Sequence, residues 1–127
     1  MRALLKGTDS GDLPGKDELG AYTPEDPQRF AFNLNITVGP RDKPGGDVFS
    51  MTVCTPLWLA RHFDAEGPSG IVPGRHYLFV QSYDIDRIES FIRDYVESAE
   101  FETWDEFAEY VGRVAHWEFE DLDESRG

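Results

Sequence analysis

A single cysteine, Cys54, stands in 127 residues. No disulfide can form within the chain, and a reducing compartment suits it. No apolar run approaches the ~20 residues that a membrane span needs. The opening MRALLKGTDS holds a short apolar patch but neither a signal-peptide core nor a cleavage site, so a cytoplasmic location is expected. Cations are scarce: 12 Lys and Arg against 25 Asp and Glu leave a net charge of −13. Such a chain repels phosphate backbones and anionic membranes, and no basic patch interleaves with aromatics, so neither nucleic acid nor membrane is an expected partner. The sequence also lacks GxGxxG, GxxxxGKS/T, GxSxG and HExxH. Its three histidines, His62, His76 and His116, stand apart, none three or four residues from another His or from Cys54, so metal-ligand spacing is missing. Cys54 sits in an apolar stretch with few cations and reads as a buried, inert thiol. No catalytic residue, metal site or cofactor is expected.

What is present is a globular composition, 39% hydrophobic and 13% aromatic, at the length of one domain spanning 1–127. The charge is lopsided. From Asp84 to the end there are 15 acids and four bases, a net −11 over 44 residues that leaves −2 for the first 83. The densest part is FETWDEFAEYVGRVAHWEFEDLDE, residues 101–124, where large aromatics alternate with carboxylates. If the aromatics anchor this stretch, its acids face outward.

Residues 2–6 suggest a short first strand, and 8–20 a Gly-rich loop prolonged by Pro24 and Pro27. Phe30, Phe32, Leu34, Ile36 and Val38 alternate with smaller or polar residues, the strongest strand signal in the chain. GPRDKPGGD turns the chain, and 48–55 returns as a strand, giving an antiparallel hairpin with a long loop. Thr55-Pro56 starts a short helix, with Thr55 as cap and Pro56 in the first turn, where no N–H is needed. Residues 75–81 read as a further strand. Asp84 caps a long helix, 84–99, whose stripe is Ile85, Ile88, Phe91, Ile92, Tyr95, Val96 and Ala99. Thr103 and Glu106 form a capping box for a second helix, with Trp104, Phe107, Ala108, Val111, Val114 and Ala115 facing the core. Trp117 and Phe119 then alternate with Glu118 and Glu120 as in a short strand. The fold class is α+β: a mainly antiparallel β-sheet, two C-terminal helices packed on one face, and a short helix between strands.

Glu102, Asp105, Glu106 and Glu109 recur at helical spacing. Two-metal hydrolases use such groups, and a metal-dependent hydrolase is one alternative reading. The acids lie opposite the apolar stripe, however, so they should be solvated, and solvated carboxylates do little acid–base work. The stretch 84–90, DIDRIES, lacks the central Gly and twelfth-position Glu of a calcium-binding loop. A third reading is a structural subunit that self-associates through exposed Trp and Phe.

Three segments carry a family resemblance: YTPEDPQRFAFNLNITVGP (22–40), FSMTVCTPLWLARHF (49–63), above all its TVCTPxWL, and WEFEDL (117–122). Together they resemble the immunity proteins numbered eight among bacterial polymorphic-toxin systems, small α+β proteins with a WEF motif near the C-terminus. The resemblance covers most of the chain. It implies a non-enzymatic protein, encoded beside a toxin, that binds and neutralises it. Toxin nucleases are usually basic, and ordered acids on an inhibitor speed their capture. The expected toxin-binding residues are therefore Glu102, Asp105, Glu106, Glu109, Glu118, Glu120 and Asp121, on a protein that is a monomer or weak dimer when free. Trp58, Trp117 and Phe119 read as core, with an exposed binding anchor as the alternative for Trp58.

Overall fold

The computed structural model describes residues 2–10, 23–66 and 70–119. The hairpin forms where the alternation places it. β2, Ala31–Pro40, pairs antiparallel with β3, Asp47–Cys54, from Ala31 opposite Cys54 to Val38 opposite Asp47. That register turns Phe32, Leu34, Ile36 and Val38 and their neighbours Phe49, Met51 and Val53 to one face, all of them buried. In the connecting loop Gly45 adopts φ 80°, and a side chain on Gly46 would run into the carbonyl of Val38. The turn needs both glycines.

β1, Ala3–Asp9, lies on the outer side of β2 and runs further than the sequence suggests. A register shift between Leu5 and Gly7 lets Thr8 and Asp9 continue the pairing opposite Ile36 and Asn35. The free edge of β3 is shared. β5, His116–Trp117, pairs antiparallel with its first half, and β4, Tyr77–Phe79, pairs parallel with its second. The sheet is thus mainly antiparallel, as expected, with one parallel pairing that makes it mixed. The strand expected over 75–81 is held to three residues, and His76, just before it, turns with φ 66°.

α1, Pro56–Glu66, makes the crossover from β3 to β4. Thr55 is fully buried, and its Oγ1 accepts from the N–H of Trp58, the capping bond, and also from that of Phe30 (3.3 and 3.4 Å). α2, Ile85–Glu97, begins at Asp84, whose carboxylate accepts the Arg87 N–H at 3.2 Å. Ile88, Ile92 and Val96 bury its inner side against the sheet. Each such aliphatic contributes about 1.5–3 kcal/mol. α3, Trp104–Val111, starts at Thr103, whose Oγ1 accepts the Glu106 N–H at 3.1 Å, and buries Phe107, Ala108 and Val111. The two helices are clasped by Tyr95 and Tyr110, stacked at 4.3 Å, each hydroxyl donating to the other's backbone carbonyl. Burial in this clasp is the main reason the Tyr95 phenol lies above its ordinary value.

Candidate partner-binding surface

The described acids of the C-terminal third, on and around α2 and α3, fall into two groups. One group is spent inside the fold. Glu97 accepts the Leu5 N–H at 3.0 Å and pairs with Arg93 at 3.3 Å. Glu89 accepts from the Thr8 hydroxyl, and Glu100 pairs with Arg2 at 2.9 Å. Glu106 is exposed, yet its Oε2 accepts the Glu102 N–H at 3.4 Å, so it also works as part of the α3 cap. Glu118, likewise exposed, exchanges two bonds with Val48: its N–H donates to the Val48 carbonyl, and its Oε2 accepts the Val48 N–H, both at 3.1 Å.

The other group is turned to solvent. Asp86 and Asp94 on α2 and Glu102, Asp105 and Glu109 at α3 are exposed. Ion pairs between described residues join Arg2 to Glu100 and Arg93 to Glu97; these five acids belong to neither. Of the seven acids expected to face a partner, five are described and all five are exposed, with Glu106 and Glu118 doubly employed. Glu120 and Asp121 lie outside the described residues.

Underneath, the aromatics of 101–119 hold this surface in place. Asp47, at the start of β3, accepts from two indoles through one oxygen: Trp104 Nε1 at 2.7 Å and Trp117 Nε1 at 3.0 Å. Trp117 also stacks on Phe49 at 6.5 Å. Phe119 differs from the core role expected of it. β5 stops at Trp117, and Phe119 is 37% exposed, edge-on to that indole. Trp58 is half-buried, stacks on His62 at 4.6 Å, and stands apart from the main core.

The stripe assigned to α2 has a second exception. Phe91 is 52% exposed. It lines a groove beside β4, whose Phe79 is 49% exposed. Neither residue stands out in the sequence as a surface feature.

Chemistry has little footing here. Among the described residues no three His, Cys, Asp or Glu side chains converge as metal ligands. His76 and His116, far apart in sequence, do meet edge-on at 5.4 Å where β4 and β5 adjoin along β3. His76 Nε2 lies 3.0 Å from the Gly112 carbonyl, which ties the approach to β4 to the end of α3. Cys54 is buried and desolvation pushes its thiol up to about 11, so the nucleophilic thiolate is suppressed. No helix among the described residues is long and apolar enough to cross a membrane.

These features define a small α+β fold with exposed acids on the outer sides of α2 and α3. The chain belongs to the Immunity protein 8 family, whose model matches residues 5–122. Immunity families are generally non-enzymatic and neutralise toxins. No curated protein and no solved structure matches the chain.

Proposed function

We propose that this protein binds and neutralises a cognate, cationic toxin domain of a polymorphic-toxin system, a basic nuclease being the toxin type that fits best. It does so without catalysis, inside the cell that carries both genes. The observation that carries this reading is the row of exposed acids formed by Glu102, just before the Thr103 cap, and Asp105 and Glu109 on α3, a helix whose other side is locked into the core, in a chain of net charge −13. Fixed carboxylates steer a basic partner and can raise association rates toward about 10⁸–10⁹ M⁻¹s⁻¹ at low salt. They cost no loop ordering on binding, because α3 is already capped and packed.

The test has two stages. Co-expression with the toxin encoded beside the gene should restore growth, and the purified pair should associate. Persistent toxicity with no association sinks the proposal. Next, Glu102, Asp105 and Glu109 are changed together to Lys, with Glu106 kept for its capping role. Association at low salt should slow at least several-fold and lose most of its salt dependence, with the melting temperature little changed. An unchanged rate removes the acidic row from the account.

A further inference from the structure

The inference concerns β4 and rests on the toxin-binding reading above. β4 pairs parallel with β3, with Tyr77, Leu78 and Phe79 opposite Thr52, Val53 and Cys54. The flanking bonds are Thr52 N–H to the His76 carbonyl and Val80 N–H to the Cys54 carbonyl, at 3.0 and 2.9 Å. In a parallel ladder, alternate residues face the partner strand. This register therefore directs the backbone groups of 76, 78 and 80 toward β3 and those of Tyr77 and Phe79 away from it. The outward N–H and C=O groups form a ready template for another strand. Proteins commonly blunt such an edge with Lys or Pro, and this one carries Tyr-Leu-Phe.

The same edge borders a groove of about 300 Å³. Leu78, Val80 and Ile88 line it with the exposed Phe91, while the Phe79 ring stacks on Tyr77 at 5.8 Å on the other face of the strand. An apolar groove beside a free sheet edge fits an extended segment that bonds to the edge and drops an apolar side chain into the groove. We propose that an extended segment of the cationic toxin adds to the β4 edge as a further strand and places an apolar side chain in the groove against Phe91.

Charge decides between occupants. Asp86 and Asp94 are exposed on α2, and Asp84 and Arg87 line the groove. A second copy of this chain would bring another −13 against the first. A cationic segment instead meets an acidic helix.

The experiment compares wild type, Phe79→Ala, Phe79→Pro and Phe91→Ala in binding the purified toxin domain encoded beside the gene. Phe79→Ala removes the ring. Phe79→Pro also removes one outward N–H and leaves the β3–β4 bonds intact, because that N–H faces away from β3. Phe91→Ala should weaken binding at least fivefold, as a ring at an interface anchor does. Phe79→Pro should bind about three- to tenfold more weakly than Phe79→Ala, the worth of one hydrogen bond. Amide exchange on the wild-type protein gives an independent reading that no variant's folding can confuse. Toxin binding should slow exchange at Tyr77 and Phe79 at least tenfold.

Toxin binding by the wild type with no protection at these two amides overturns the edge proposal and leaves the immunity reading standing. Equal affinities for all four proteins do the same. Protection of these amides in the protein alone, at concentrations where it dimerises, overturns it in favour of self-pairing. Failure of the wild type to bind the toxin at all overturns the immunity reading, and the strand addition with it.

Discussion

Asp47 is the point at which the C-terminal segment is most sharply testable. Its Oδ2 accepts both Trp104 Nε1 and Trp117 Nε1, at 2.7 and 3.0 Å. Both indoles are half-buried, so water can replace the lost acceptor only in part. A hydrogen bond to a charged acceptor is worth about 1.5–3 kcal/mol. Taking the low end for partial exposure, Asp47→Ala should cost about 3 kcal/mol. For a domain of this size that is a fall of roughly 9–15 °C in Tm. Asp47→Asn keeps an oxygen with two lone pairs but loses the charge, which accounts for about half the strength. It should therefore cost about 1.5 kcal/mol. Urea unfolding followed by tryptophan fluorescence measures both, and far-UV circular dichroism checks that the native content is retained. Pairing Asp47→Ala with Trp104→Phe and with Trp117→Phe in double-mutant cycles should give a coupling of about 1 kcal/mol or more in each. If Asp47→Ala unfolds within about 0.5 kcal/mol of wild type, or both cycles show no coupling, the two-indole anchor does not hold the segment.

Two further outcomes follow from the same geometry. Thr103→Ala removes the acceptor for the Glu106 N–H and should cost about 1 kcal/mol, seen as a lower urea midpoint at unchanged slope. The Cys54 thiol, raised by burial from 9.0 to about 11, should resist a thiol-reactive dye in the native protein and react only on unfolding. The raised value also sets a sign. The folded state holds its proton more tightly than the unfolded one, so this contribution to stability is complete below about pH 9 and is lost as pH rises toward 11. Cys54→Ala should flatten the stability curve in that window, and an unchanged slope there would show the thiol to be uninvolved.

The legible parts of the fold are those with local causes. Alternation sets β2 and β3, Thr55-Pro56 sets the start of α1, and Asp84 and Thr103 cap α2 and α3 through bonds to residues three positions on. What escapes the sequence depends on distant partners. The parallel register of β4 follows from the α1 crossover, and no residue of 75–81 encodes it. Phe91 has the right spacing for the α2 stripe, yet it is 52% exposed, at a groove also lined by Leu78 and Val80. Net charge likewise conceals a division of labour. Glu89, Glu97 and Glu100 serve β1 and Arg2, while Asp105 and Glu109 face solvent, and nothing in the spacing tells these groups apart.

The WEF segment shows why recognising the family and locating the partner are separate problems. Trp117 donates to Asp47 and stacks on Phe49, and Glu118 exchanges two backbone-directed bonds with Val48. Both residues are therefore already engaged in holding β5 against β3. The Glu118 carboxylate is held in place by the Val48 N–H through Oε2, which leaves Oε1 as its open acceptor. Glu102, Asp105 and Glu109 carry no such obligation through their side chains, and neither do the backbone groups of Tyr77 and Phe79. Trp117 and Glu118 thus fix the frame, and the toxin contacts proposed above fall on other residues, at α3 and the β4 edge.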